Sequence, residues 1–235
     1  MPMTCIGRHG VWPLACGLSV LAAVWFAPLP EWSRHSFAAH MGMHMSVVAV
    51  AAPLLAAGVA GGRLDPVRWL AANASPSNGD ATKALLVPVL LSPLVASVIE
   101  FIVVWAWHAP APHHAARHSA GLLVVEQGSF LAVGLLVWLA AFGGSGAQRH
   151  LRAATGIAGL LLTSMHMTLL GVLLALAARP LYGHGADVGS GLTALQDQHL
   201  GGVLMLLFGG VAYMAGALML LLGLLRERHA AVADG

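Results

Sequence analysis

Six apolar stretches, each long enough to cross a lipid bilayer, are the strongest constraint on how this chain can fold. A helical membrane span needs about 20 mainly apolar residues. Such stretches occupy residues 11–29, 38–61, 84–107, 119–142, 153–178 and 200–225. Only 9% of the residues are charged, which is far below the usual share in soluble domains. We therefore predict an all-α, polytopic membrane helix bundle that forms a single integral membrane domain over residues 1–235.

The first stretch has a second interpretation, because a basic residue before an apolar run is also typical of a secretory signal peptide. Arg8 is that basic residue. The apolar core is long for a signal peptide, and Pro28 and Pro30 stand where a signal peptidase would need access. We therefore expect this stretch to be retained as a membrane helix.

The distribution of Lys and Arg predicts the orientation of the bundle. Six spans place eight of these residues on the side of the termini and three on the other side. Since cytoplasmic loops carry the excess of Lys and Arg, we expect both termini in the cytoplasm of a multi-pass protein of the bacterial inner membrane. The formal net charge of +2 gives no indication of nucleic-acid binding.

One short segment has a high density of metal-binding side chains. Residues 40–45 read His-Met-Gly-Met-His-Met and run into the second apolar stretch. In a helix, His40 and His44 lie one turn apart on one face. Met41 and Met45 lie one turn apart on the neighbouring face. Imidazole binds copper, zinc and iron, whereas thioether selects Cu(I), so we predict a Cu(I) site with nitrogen and sulfur ligands.

Other polar residues are predicted at a similar depth. Glu100 and Glu126 lie inside predicted spans, where a carboxylate is costly and is by default a candidate functional group. A rise of about 1.5 Å per residue puts both of them, and His166 of the fifth span, about 5–16 Å below the outer boundary. We expect His166 to complete the copper site. The carboxylates should face the bundle interior, either in a direct role or as partners of buried histidines.

The outer ends of the spans carry further candidates. His108 follows Glu100 by eight residues and so shares its helical face. Asp197 and His199 stand at the outer start of the sixth span, where they could orient a ligand histidine or form an access point for metal. We interpret the other histidines of this region as solvated loop residues: His113, His114, His118 and His184.

The sixth span also carries a regular glycine pattern. Glycines recur every seven residues, at Gly202, Gly209, Gly216 and Gly223. Small residues let membrane helices approach closely. We expect this seam to serve helix packing, within the chain rather than against a partner.

Several ordered motifs together resemble the CtaG family of cytochrome c oxidase assembly factors, over most of the chain after residue 37. They are His40-Met41-x-x-His44 followed by Ala52-Pro53-Leu54-Leu55, Trp107-His108-x-Pro110, His166-x-x-Leu169-Leu170-Gly171, Pro180-Leu181-Tyr182, and Gly191-Leu192-x-x-Leu195-x-Asp197-Gln198-x-Leu200-Gly201-Gly202. The chain departs from the family pattern around Glu126, where histidines are common and residues 122–127 read Leu-Leu-Val-Val-Glu-Gln. It also has six predicted spans where seven are usual.

The resemblance implies a non-enzymatic role in maturing haem-copper oxidases, by handling copper for the catalytic subunit at the outer side of the membrane. Another copper chaperone is a further candidate partner. The alternative is a membrane b-type haem electron-transfer protein, with His44 and His166 as axial ligands. Ion transport past Glu100 and Glu126 ranks lower, because no inverted repeat is evident. A serine protease centred on Ser145 is disfavoured, since His199 is predicted at the opposite membrane face.

Overall fold

The computed structural model describes residues 10–26, 28–74, 81–144, 149–182 and 191–233. Within these ranges the chain forms helices and contains no strand. This confirms the predicted all-α, polytopic membrane helix bundle.

In chain order, the helices of the described ranges are labelled α1 to α10. They are α1 (Val11–Phe26), α2 (Leu29–His35), α3 (Phe37–Met45, continued by a π-helical segment Ser46–Ala51 and by Ala52–Val59), α4 (Pro66–Asn73), α5 (Ala81–Leu90), α6 (Pro93–Trp107), α7 (Pro110–His118), α8 (Ala120–Phe142), α9 (Arg149–Ala175) and α10 (Ala194–Leu204, continued by a π-helical segment Met205–Gly210 and by Val211–Ala233).

Four helices are long and apolar enough to cross a membrane by themselves, and they correspond to α3, α8, α9 and α10. Two pairs of shorter helices are long and apolar enough only when taken together, with a bend of 55° between α1 and α2 and of 71° between α5 and α6. The described helices therefore give four spans, or six if each bent pair is one span. The sequence predicted a continuous span over 84–107, whereas the structure bends there. Pro93 at the first turn of α6 explains the bend, because proline disfavours a helical conformation in the residue before it and Ser92 is extended.

Two pairs of neighbouring helices run parallel. On α6 and α9, the hydroxyls of Ser97 and Thr163 are 2.8 Å apart. One turn further along both helices, the rings of Phe101 and His166 are in contact. On α3 and α8, contacts advance in the same way, from His40 with Glu126 near the helix starts to Val48 and Ala52 with Gly134 further along. In a six-span topology the second and fourth spans run in the same direction, and so do the third and fifth. The two parallel pairs agree with that topology.

Three of the four glycines in the seam of α10 pack against other helices of the same chain. A Cβ atom at Gly202 would lie 2.5 Å from the backbone nitrogen of Ala175, so α9 and α10 touch through their backbones. Gly209 faces side chains of α3 and α9, and Gly216 faces an indole ring of α8. A Cβ at Gly223 would meet nothing within 4 Å.

Candidate metal centre

Two histidines of α3 converge on one carboxylate of α8. His40 Nε2 lies 3.2 Å from Glu126 Oε2, and His44 Nε2 lies 3.7 Å from Glu126 Oε1. Both histidines occupy one helical face because they are four residues apart. The parallel packing of α3 and α8 puts this face against the second turn of α8. All three side chains are buried.

Two further histidines lie beside this group: His108, which directly follows α6, and His113 of α7. Potential ligand atoms of His40, His113 and Glu126 all lie within 4.8 Å of one another. The ring centroids of His40 and His113 are 4.7 Å apart, and those of His44 and His108 are 5.7 Å apart. Four buried imidazoles and one buried carboxylate therefore form a cluster near the N-terminal end of α3. We call these five residues the histidine cluster.

Hydrogen bonds fix how two of the rings are presented. His108 Nδ1 donates to the carbonyl oxygen of Val104 at 2.7 Å, so Nε2 carries the lone pair. Burial lowers the pKa of His108 to about 4, and the ring is therefore neutral at neutral pH. His44 Nδ1 lies 2.6 Å from the side-chain amide of Gln127. That contact holds the ring with Nε2 directed at Glu126.

Aromatic side chains enclose the cluster. The ring of Phe130 contacts His44 at a centroid distance of 4.5 Å. Phe37 and Tyr182 stack on each other at 4.7 Å, and Tyr182 also contacts His113 at 4.4 Å. The Tyr182 hydroxyl donates to the backbone oxygen of His108 at 2.7 Å. This enclosure keeps the donor atoms away from water, which strengthens their electrostatic interactions.

Asp197 holds the start of α3 in place. Its carboxylate accepts hydrogen bonds from Ser36 Oγ at 2.8 Å, from the Phe37 amide at 2.6 Å and from the Ala38 amide at 3.2 Å. The two amides are among the backbone donors that a helix N-terminus leaves without an intrahelical partner. Asp197 thus orients the helix that carries His40, rather than a ligand ring directly. The neighbouring His199 donates from Nε2 to the carbonyl oxygen of Ala177 at 2.9 Å, which ties the start of α10 to the end of α9.

The predicted sulfur ligands face a different helix. Met41 is next to Gly201 of α10, and Met45 Sδ would lie 3.3 Å from a Cβ at Gly209. Successive residues of a helix differ by about 100° in direction. Each methionine follows one of the histidines directly, so when the histidines face α8, the methionines face α10. Both thioethers are buried there.

The predicted polar layer divides into separate groups. His166 lies on α9 with its ring against Phe101, at a centroid distance of 5.4 Å, and is not one of the residues grouped around Glu126. Glu100 accepts a hydrogen bond from the Tyr213 hydroxyl of α10. Of the two intramembrane carboxylates, only Glu126 therefore lies in the histidine cluster.

Sequence reasoning missed the role of α7. His113 was predicted to be a solvated loop residue, and this was wrong because its side chain is 2% exposed. The short helix α7 begins at Pro110 and buries His113 together with Ala116, one turn later. The sequence signal for this helix was Pro110 at its start, followed by His113 and Ala116 three residues apart. His114 and His118 are exposed, as predicted, but they lie on this helix rather than in a loop. His184 and Ser145 lie outside the described residues.

The cluster has the chemistry of a metal site. In the described part of the chain, His40 Nδ1, His44 Nε2 and His108 Nε2 are buried and make no hydrogen bond. A buried polar atom without a partner costs about 1–3 kcal/mol. One of these nitrogens, His44 Nε2, lies 3.7 Å from the Glu126 carboxylate, and a cation bound between them would satisfy both groups. Imidazole nitrogen with one carboxylate suits copper, zinc or iron. The residues therefore fit a transition metal.

Comparison with known proteins gives one result. Residues 5–227 match the family described as cytochrome c oxidase caa3 assembly factor, Caa3_CtaG. No curated protein and no solved structure matches the chain. The matched range includes every residue of the histidine cluster.

Proposed function

Because the chain belongs to the family of cytochrome c oxidase caa3 assembly factors, we propose that it is a copper chaperone for that oxidase. In this proposal the histidine cluster binds one Cu(I) ion as cargo and releases it during assembly of the oxidase. The protein itself performs no catalysis. Its role would belong to respiratory chain biogenesis.

The observation that carries the proposal is the convergence of His40, His113 and Glu126, whose ligand atoms lie within 4.8 Å of one another. Three different helices supply these groups, so the convergence is a property of the tertiary structure. Burial of a carboxylate is costly unless a positive charge compensates it. A bound copper ion supplies that charge.

Nitrogen ligands and geometry favour copper over haem. A b-type haem held by His44 would need room beside Nε2 for the iron and for the porphyrin that surrounds the iron. Glu126 Oε1 lies 3.7 Å from His44 Nε2, where the iron and macrocycle would have to be. A single metal ion fits between these atoms after a small adjustment, whereas a macrocycle does not. Met41 and Met45, on the adjacent face of α3, are further candidate ligands for a soft ion in transit.

The proposed partners follow from where the cluster lies. It is at the end of the bundle that the Lys and Arg distribution assigns to the outer side of the bacterial inner membrane. The recipient of copper in this proposal is the catalytic subunit of the haem-copper oxidase. A second copper chaperone would supply the ion from the same side.

Copper content and the optical spectrum after anaerobic Cu(I) loading test this proposal. The purified wild-type protein should bind stoichiometric, colourless copper, and the His40→Ala, His44→Ala double variant should bind none at the cluster. Wild-type stoichiometry in that variant, or a Soret band in the wild type, would contradict the proposal.

Two matched variants sharpen the result. His35→Ala removes an exposed histidine that pairs with Glu31 away from the cluster, and it should leave copper content unchanged. Met41→Leu, Met45→Leu removes both thioethers that face α10. If this pair alone abolishes binding, the ion is held by sulfur rather than by the histidine cluster.

A further inference from the structure

A cavity opens beside the histidine cluster on the same end of the bundle. Its volume is about 400 Å³, and it lies between α7 and the segment that contains Leu181 and Tyr182. His113, His114 and Arg117 of α7 also line it. His113 therefore lines this cavity and also contacts His40 at a ring-centroid distance of 4.7 Å.

The outer surface of α7 carries a second pair of histidines. His114 and His118 are four residues apart, so they lie on one face of the helix. Their ring centroids are 4.3 Å apart, and both side chains are exposed. Two histidines at this spacing can bind one metal ion from a single helix face, as in the His-Glu-x-x-His zinc motif. This pair lies outside the histidine cluster.

The two histidine groups are connected along α7. His113 precedes His114 directly, and the cavity wall contains both. His113 points into the cluster, where it contacts His40, while His114 is exposed. A cation at the surface pair would be one residue along the helix from a ligand of the buried group.

We propose that His114 and His118 form a surface copper site that receives Cu(I) and passes it through His113 to the buried histidine cluster. This inference rests on the proposed function, because it assumes that the buried cluster binds copper. Copper remains Cu(I) throughout. Each step exchanges one imidazole ligand for another, so no electron is transferred and no oxidant is required.

The difference between the two sites gives the transfer its direction. The surface pair offers two ligands in water, whereas the cluster offers four imidazoles and a carboxylate in a buried environment. A two-ligand exposed site exchanges metal readily, and a buried site with more ligands holds it more tightly. The surface pair should therefore set the rate of loading, and the cluster should set the final occupancy.

The test is the rate of copper loading from a coloured Cu(I)–bicinchoninate complex, followed anaerobically by stopped-flow absorbance with less than one copper per chain. For the His114→Ala, His118→Ala variant we expect loading at least about tenfold slower than wild type, with the same final occupancy. His35→Ala, which removes another exposed histidine, should load at the wild-type rate.

The possible results separate this inference from the proposed function. Equal loading rates in the double variant and wild type would overturn the surface site and leave the proposed function standing. No copper uptake by the wild type would overturn both. A lower final occupancy in the double variant would also overturn the inference as stated, because it would make the pair part of the storage site.

Discussion

Replacing Asp197 by alanine removes the acceptor that joins the first turn of α3 to the start of α10. The carboxylate accepts three hydrogen bonds there, two of them from backbone amides. The residues that carry these amides, Phe37 and Ala38, are 1% and 7% exposed. Water therefore has poor access to the donors after the substitution.

The size of the effect follows from the number of donors that lose their partner. Each buried donor without an acceptor costs about 1–3 kcal/mol, so the two amides predict a loss of about 2–6 kcal/mol in the free energy of unfolding. Ser36 adds little, because it is only partly buried and water can reach its hydroxyl. Asp197→Asn keeps one carbonyl oxygen and should lose about half as much. His40 lies in the first turn of α3, so copper affinity should fall in the same order.

Reversible unfolding by SDS in mixed micelles measures the stability difference, and amide hydrogen exchange at Phe37 and Ala38 reports on the first turn directly. Wild-type stability and exchange in Asp197→Ala would refute the capping argument. So would a variant that loses copper while its stability and exchange are unchanged, because Asp197 would then act on the metal site without acting through the helix.

Three other predictions can be tested separately. Gln127→Leu removes the amide that orients the His44 ring and should lower copper affinity about 10–100-fold, as measured by competition with a Cu(I) chelator; unchanged affinity would mean that packing alone orients the ring. Gly202→Ala should destabilise the bundle by about 1–3 kcal/mol in SDS unfolding, because its Cβ would meet the backbone of α9. Gly223→Ala in the same seam should be neutral or stabilising, and equal effects of the two would contradict the close approach. Tyr213→Phe removes a hydroxyl donor to buried Glu100 and should cost about 1–3 kcal/mol; wild-type stability would show that another donor suffices.

Local patterns predicted much of the fold and part of the site. Apolar length predicted the spans because the thickness of the bilayer fixes how many helical residues are needed. The spacing of His40 and His44 predicted a shared face because helix geometry is local. The cost of a carboxylate inside a bilayer predicted that Glu126 faces the bundle interior. Each of these arguments needs only neighbouring residues.

The partners of those residues could not be predicted in the same way. Glu126 is 86 residues after His40, and Asp197 is 161 residues after Ser36. Both the histidine face and the methionine face of α3 are buried, so the sequence of α3 alone does not determine which face meets α8. The prediction of one copper site that includes Met41, Met45 and His166 depended on which helices pack against each face of α3.

The contact between Asp197 and α3 has a consequence for biosynthesis. The second span enters the membrane early, yet the acceptor for its first backbone amides belongs to the last span. While the chain is still emerging from the ribosome, the histidines of α3 lie on a helix whose Phe37 and Ala38 amides do not yet have Asp197 as their acceptor, although Ser36 already accepts from the Ala39 amide. Full ordering of the start of α3, and with it of the histidine cluster, therefore waits until translation has passed Asp197.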